Sequence, residues 1–364
     1  MEVREILIPL FVAFGAAALV TPFVVRAALA LRIVDRPSER GVSTRSGMPL
    51  AGGFAVALGF SVGFAIALRM ASGPVAPEQL RGLMVGAAII VVAGICDDRW
   101  GMKAWSKFGI QVLAAGIAVA SGFEIRHFTE PFTYTTFHLP EWFAWLVSVL
   151  WIVGITNAVN LVDGLDGLAA GVGALIAATL LVIALQSGQV LGVCIAVALV
   201  GALLGFLPYN FWPAKIFLGD TGSLFIGYTL SLLALDGYRT LSLVTFVVPL
   251  LALAVPIIDT LLSIVRRVRK RAPIFTADRL HMHHRLLAAE GSQRAAVLQI
   301  YLLTAAFCLL ALSFTKLEGT MAALCLLVIV ALTLRMLWNL DALSLEDRKP
   351  AAADGSAGMK EDDS

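Results

Sequence analysis

The chain predicts an all-α fold that crosses a membrane many times, and three observations carry that expectation. Of its 364 residues, 59% are apolar and 14% charged, with a mean hydropathy of +0.88. A water-soluble domain holds about half apolar and a quarter charged residues. The apolar residues also gather in runs of about 17–25, the length a helix needs to span hydrocarbon. Finally, Lys and Arg concentrate in every second segment between the runs, the bias that sets topology.

Eleven such runs lie near 6–29, 50–70, 80–96, 104–123, 141–161, 168–186, 189–209, 222–236, 241–265, 295–314 and 319–339. The first is expected to be a retained helix. It is too long for a signal h-region, and Glu2, Arg4 and Glu5 do not form a positive n-region. The run at 222–236 is short, which suits a tilted helix or one half-buried in a bundle. The run at 241–265 is interrupted by Pro249 and Pro256 and carries a buried acid, Asp259, whose role is structural or part of a site. Cys194, Cys308 and Cys325 lie inside apolar runs, which argues for packing residues and against a disulfide framework. Residues 341–364 are acidic and rich in small residues and form an expected disordered cytoplasmic tail, leaving 1–340 as one transmembrane domain. No internal repeat indicates a transporter built of two related halves.

Taking the first helix as running outside to inside places Arg32, Arg36, Arg40 and Arg45, then Arg99, Lys103 and Lys107, then Lys215, in inner segments. The last inner loop carries eight Lys and Arg between Arg266 and Arg294, whereas the outer loops hold few. The N-terminus is therefore expected outside and the C-terminus in the cytoplasm. In that orientation the polar motifs at 35–53, 96–107, 157–167, 208–223 and 266–287 all fall on the cytoplasmic side. The outer loop 124–140 has aromatics and Thr but no recognisable chemistry. One site built at one face from five loops suits a substrate arriving from the cytoplasm.

The densest motif is NAVNLVDGLDG, Asn157–Gly167. Polar groups near hydrocarbon are costly, so this cluster is a functional-site candidate. Continued helix would place Asn157, Asn160 and Asp163 on one face, with Asp166 following and Gly164 and Gly167 turning the chain. A helix cap and turn use the same residue types, but they do not account for the recurrence of such clusters in four other loops. The pair Asp97-Asp98 ends the third run and needs a cation, a metal or a shared proton, because a helix C-terminus repels acids. Asp220 lies in FLGDTGS, where backbone amides and hydroxyls could hold phosphate at a helix N-terminus. Asp and Ser also cap helices, so this motif gains weight from Asn160: the two make a hard-cation site suited to Mg2+, with Mn2+ as the alternative ion. In ADRLHMHHRLL, 277–287, His281 and His284 are spaced to share a helix face and His283 points away. Zinc fits this spacing, but no cysteine is near, and the histidines suit diphosphate contact or proton handling. The basic stretch Arg266–Arg271 anchors topology and attracts anionic lipid. The first-loop Arg40 and Arg45 could meet phosphate, and Gly52-Gly53 permits close helix packing.

In order and spacing, these motifs resemble the polyprenyl-phosphate N-acetylhexosamine-1-phosphate transferases over roughly residues 35–305. NAVNLVDGLDGLAAG and FLGDTGS are very similar to that family's signatures, and ICDDR followed by Lys107 and Gln111 is similar to its aspartate-pair region. DRLHMHHRLL with SQRAAVLQIY resembles the WecA and TagO branch. The MraY branch has three consecutive histidines where Met282 intervenes here. The first loop departs from the pattern, with Gly41 and Ser43 in place of Lys and His.

The resemblance implies transfer of N-acetylhexosamine-1-phosphate, above all GlcNAc-1-phosphate, from its UDP-sugar to undecaprenyl phosphate, with loss of UMP. The product would initiate a lipid-linked cell-envelope glycan at the inner membrane. On this basis Asp97, Asp98, Asp163, Asp166, His281, His283 and His284 are expected in catalysis. Asn157, Asn210, Lys107, Arg40 and Arg279 are expected in substrate binding, and Asp220 and Asn160 at magnesium. Expected partners are the nucleotide sugar, the polyprenyl phosphate and membrane lipid, with no nucleic acid; a homodimer is compatible with the sequence. Another UDP-hexosamine or the peptide-bearing muramyl nucleotide would leave the reaction unchanged. An ion-coupled transporter is the rival of a different class, and it requires acids near the midplane, not at one face. A lipid-binding scaffold without chemistry is the other.

Overall fold

The computed structural model describes residues 2–35, 47–129, 136–236, 243–269 and 281–314, with a few positions between 324 and 335. Arg40, Arg45, Arg279, most of the run at 319–339 and the tail 341–364 lie outside the described residues.

The helices are α1 (Val3–Ala30), α2 (Gly52–Met70), α3 (Pro77–Trp100), α4 (Ala104–Ala120), α5 (Glu141–Val162), α6 (Leu168–Gln186), α7 (Val190–Asn210), α8 (Gly219–Asp236), α9 (Leu243–Ala252), α10 (Ala254–Arg269), α11 (Met282–Glu290) and α12 (Gln293–Phe314). Seven of them, α1–α3, α5–α7 and α12, are long and apolar enough to cross a membrane. The chain is a multi-pass membrane protein. The run expected as one helix over 241–265 is two helices, parted at Leu253. Pro256 has no N–H to give the Ala252 carbonyl, so the helical ladder cannot continue through that point. Between α4 and α5 lies a short antiparallel strand pair, β1 (His127–Thr129) against β2 (Thr136–His138), with His127 opposite His138.

The bundle is organised around α8, whose residues Thr221–Asp236 are all buried. It packs against α2, α3, α5, α6 and α7. In hydrocarbon, close approach of backbones replaces the hydrophobic effect as the force between helices, and small residues permit it. One stripe of α1, Pro9, Ala13, Ala17, Thr21, Val24 and Ala28, turns inward, while Phe11, Leu19 and Phe23 face out. That stripe receives Gly59 and Gly63 of α2, where an added Cβ would come within 2.7 Å of Ala17 Cβ and 2.4 Å of Ala13 Cβ. The same device grips the start of α8 from two sides. A Cβ on Gly53 would fall 2.0 Å from Gly222 N, and one on Gly94 would fall 2.3 Å from Thr221 Cα.

A short backbone pairing completes the grip. Phe217 N–H donates to Pro49 O (2.9 Å), Gly52 N–H to Phe217 O (3.0 Å) and Gly53 N–H to Leu218 O (2.8 Å). The end of the first loop is thereby tied to the chain entering α8.

Candidate active site

The sequence places Asp97 and Asp98 beyond the third apolar run, but α3 continues to Trp100 and both acids lie in its last turn. There the helix dipole opposes them, and the fold supplies what offsets it. The Asp98 carboxylate reaches the N-terminus of α8, accepting from Asp220 N (2.8 Å), Thr221 N (3.1 Å) and Thr221 Oγ1 (2.6 Å). A carboxylate on the positive end of a helix, taking three donors, is well satisfied. The amides that GDTGS offers to a phosphate are therefore occupied by Asp98. Asp97 accepts from Met102 N at 2.5 Å and pairs with the Lys107 ammonium, which also pairs with Asp220. Lys107 comes from the first turn of α4, so three helices meet at one ammonium.

From the other side, α5 brings two amides. Asn160 Nδ2 lies 3.0 Å from Asp220 Oδ1 and 2.8 Å from Ser223 Oγ. Asn157 turns to α4 and hydrogen-bonds the Gln111 side chain in place of joining that cluster. Helix α5 stops at Val162, so Asp163 is its C-cap (φ −74°, ψ 62°) and the expected helical face ends one residue short. Burial pushes the Asp163 carboxyl well above its usual range, and the charges of Asp220, Asp98 and Asp166 push in the same direction. Asp163 thus shares the electrostatic field of the α3 and α8 acids.

Two predicted residues serve the surrounding turns. Asp166 Oδ2 accepts from Ala214 N (3.0 Å), and the buried Asn210 donates to Ile216 O (3.0 Å). Together they shape the segment 210–216 that leads into α8. Gly167 adopts φ +79°, a left-handed conformation natural to glycine, and its carbonyl accepts from Tyr301 of α12 at 2.5 Å. Gln111 and Tyr301 lie in stretches that carry the resemblance, but neither is among the expected site residues; each is a polar group set mid-helix in apolar sequence, and only its contact shows what it supports.

The histidines form a third arm. His281 is the N-cap of α11, with extended ψ of 152°, so helical spacing does not govern it. Its ring lies parallel to that of His283 at 5.7 Å, and His283 is 4.3 Å from His284. The expected separation of His283 from its neighbours does not occur; the three rings are contiguous. His283 is buried against the DGLDG turn, where a Cβ on Gly164 would meet its Nε2 at 2.1 Å. Burial pushes the His283 imidazole down to about 3, and the positive charge of His284 adds to this. A buried Asp259 on α10 takes His281 Nδ1 (3.0 Å) and Met282 N (2.8 Å).

Asp97 and Asp220 thus share the Lys107 ammonium, Asn160 reaches Asp220, and Asp163 lies within the field of Asp220, Asp98 and Asp166. Among the described residues, no three His, Cys, Asp or Glu side chains are placed as a ready metal-ligand group. Apart from the Lys107 ammonium, the groups around Asp220 are nevertheless hard oxygen or amide groups, from Asn160 and Ser223. The Lys107 ammonium lies between Asp97 and Asp220, where a cation is electrostatically favoured. This donor set fits a hard divalent ion and does not fit a soft one.

Similarity to known proteins gives the family. Residues 80–238, which hold the acids of α3, the α5 turn and α8, match glycosyl transferase family 4. The chain is 43% identical over 300 residues to the probable undecaprenyl-phosphate N-acetylglucosaminyl 1-phosphate transferase of Bacillus subtilis, covering 82% of each chain. It is 36% identical over 296 residues to the decaprenyl-phosphate N-acetylglucosaminephosphotransferase of Mycobacterium leprae, covering 75% of this chain and 74% of that one. Identity to the phospho-N-acetylmuramoyl-pentapeptide-transferase of Shouchella clausii is 31% over 306 residues, 79% of this chain and 91% of the relative. With the acids of α3, α5 and α8 meeting at one end of the bundle, and this extent of likeness, the chain belongs to glycosyl transferase family 4, on its WecA- and TagO-like branch of polyprenyl-phosphate N-acetylhexosamine-1-phosphate transferases.

Proposed function

We propose that the protein transfers GlcNAc-1-phosphate from UDP-GlcNAc to undecaprenyl phosphate at the cytoplasmic face of the inner membrane, releasing UMP. The observation that carries this reading is the meeting of Asp97, Lys107, Asp220 and Asn160 at one end of α8. The higher identity to relatives named for N-acetylglucosamine supports the choice of sugar.

A phosphate oxygen of the lipid attacks the β-phosphorus of the nucleotide sugar. A new P–O bond forms there, and the bond from that phosphorus to the oxygen bridging to the α-phosphorus breaks. The electron pair leaves with UMP. Because a phosphate monoester is already ionised at neutral pH, the chain has little proton chemistry to perform; positioning and charge compensation dominate. Lys107 offsets negative charge where two anionic substrates must approach each other. Asp97, held by Met102 N and Lys107, orients the acceptor phosphate. Asp98 fixes the start of α8, and so the direction of Asp220, through its three donors. Asp163 and Asp166 border the nucleotide, and His281, His283 and His284 contact diphosphate oxygens from the far wall. Asp220 and Asn160 would hold Mg2+, which would supply positive charge to offset the charge that builds on the leaving UMP. The N-terminus lies outside by the charge bias of the loops.

The test is direct: purified protein, undecaprenyl phosphate, magnesium and a panel of labelled UDP-sugars, scored for label in the lipid phase and for UMP. UDP-GlcNAc should be used best. Label from the muramyl-pentapeptide nucleotide but not from UDP-GlcNAc would overturn the sugar assignment and leave the reaction standing. Asp220→Asn should abolish turnover at every magnesium concentration, and near-normal activity would refute the metal role.

A further inference from the structure

We propose that Asp259 of α10 is a positioning residue of the transferase, which holds His281 in one tautomer and one orientation so that only its Nε2 faces the substrate diphosphate. The inference rests on the reading above, in which His281 meets that diphosphate.

Helix α10 buries Asp259, Ser263 and Arg266, spaced i, i+4 and i+7 on one face. Burying a carboxylate beside apolar helices is costly unless its oxygens are used. Both Asp259 oxygens are used, and by different kinds of donor. Oδ1 accepts the Met282 amide at 2.8 Å, and Oδ2 lies 3.0 Å from His281 Nδ1. The first contact is a helix cap supplied from a neighbouring helix, since His281 makes no side-chain cap of its own. Capping needs one oxygen. The second oxygen has no role in the cap, and it fixes a ring.

A carboxylate on Nδ1 assigns the proton there, as carboxylates behind ligating or catalytic histidines do. Nε2 is then the only nitrogen left for an outside partner. The ring has a second neighbour: His283 lies parallel to it, with ring centroids 5.7 Å apart, and is itself wedged against Gly164 of the DGLDG turn. The His281 imidazole is thus fixed between an acid 22 residues earlier and a neighbour that touches the nucleotide-side turn. When the ring carries both protons, the pair with Asp259 is an ion pair, and Nε2–H becomes an aimed charged donor for a phosphate oxygen.

The experiment compares wild type, Asp259→Asn, His281→Asn and the double variant in detergent, measuring kcat and KM for UDP-GlcNAc at saturating lipid, and the unfolding midpoint. Asn keeps an oxygen for Met282 N–H but turns an amide donor toward His281, so the midpoint should hold while the tautomer is lost. The kcat of Asp259→Asn should fall about 10–100-fold, the range for lost histidine-orienting carboxylates, and the double variant should be no slower than His281→Asn. Asp259→Asn within about twofold of wild type, with His281→Asn impaired, would overturn the positioning role alone. Losses that multiply in the double variant would do the same, because Asp259 would then act independently of His281. A lowered midpoint with unchanged kcat per folded enzyme would leave a cap and nothing more. Normal kcat in His281→Asn would instead remove the reading on which the proposal rests. Should Asp259→Asn not fold, Asp259→Glu takes its place: it keeps charge and both oxygens on a longer arm, and should lower kcat with the midpoint retained.

Discussion

If catalysis depends on where α8 begins, moving that point should cost rate without removing any polar side chain. Gly53→Ala is the cleanest such perturbation. The new Cβ would lie 2.0 Å from Gly222 N, 2.3 Å from Gly222 Cα and 2.6 Å from Thr221 C, all backbone atoms that cannot rotate away. Ordinary contact begins at 3.4 Å, so α2 and α8 must separate by about 1.4 Å, the difference between 3.4 and 2.0 Å. That movement also strains the bonds from Gly52 N to Phe217 O and from Gly53 N to Leu218 O. Overpacking of this kind costs about 1–3 kcal/mol of stability. The kinetic effect should be larger, because Asp220 is two residues from the displaced amide, and a misplacement of about 1 Å at a phosphoryl-transfer site costs about 100-fold in rate. The assay is kcat under saturating substrates, with Gly15→Ala as a matched control, since a Cβ there meets nothing within 4 Å. Equal and near-wild-type rates for both variants would refute the claim that the α2–α8 contact sets the site.

Three further outcomes follow from the same geometry. Asp98→Ala leaves Asp220 N, Thr221 N and Thr221 Oγ1 without their acceptor and should lower the unfolding midpoint in detergent, by an amount equivalent to about 2–4 kcal/mol; an unchanged midpoint would show that α8 does not need this cap. Lys107→Met removes the ammonium that competes for Asp97 and Asp220, so half-maximal activity should need less magnesium while the maximal rate falls; a raised requirement contradicts the proposed ion position. His283 is held neutral, with its imidazole at about 3 against an ordinary 6.5, so an undocked segment gains a proton that the docked one refuses. Docking of α11 is therefore unpenalised above pH 6.5 and weakens as pH falls from there toward 3, with His284 and Asp259 as the charged neighbours. Hydrogen exchange at 282–290, corrected for intrinsic rates, should rise between pH 7.5 and 5 in wild type and not in His283→Asn, and a flat wild-type profile would refute it.

Much of the bundle was legible because hydrocarbon imposes a length on each helix, and polar residues interrupting those lengths stand out. The acids of α3, α5 and α8 announced themselves in this way. What one-dimensional spacing could not supply was the partner of each group. Asp97-Asp98 reads as a pair, yet the two side chains part: one engages Lys107 and the other caps α8. His281 and His284 have helical spacing, yet α11 starts after His281 and the periodicity does not apply. Pro249 and Pro256 were visible inside one apolar run, but the break at Leu253 depends on which carbonyl lacks a donor. The glycines were the most under-read signal. Gly53 and Gly94 lie on different helices, 41 positions apart in the sequence, and only the fold shows that they close on the same turn of α8.

That grip explains how a membrane bundle can hold its polar helix ends in fixed places. Phosphoryl transfer asks for little covalent chemistry from the protein and much geometric constancy. Lipid tails provide no hydrophobic drive between helices, so rigidity has to come from backbone contact and satisfied polar ends. Helix α8 has both, with glycines at Gly53 and Gly94 against its first turn and Asp98 on its N-terminal amides. Several of the groups proposed to meet substrate are likewise backed by one that is not. Asp97 is held by Met102 N, Asn157 by Gln111, the DGLDG turn by Tyr301 and His281 by Asp259. Supporting groups therefore need to stay fixed while the groups facing the cleft exchange partners, which is why small changes behind the site are expected to cost rate before they cost the fold.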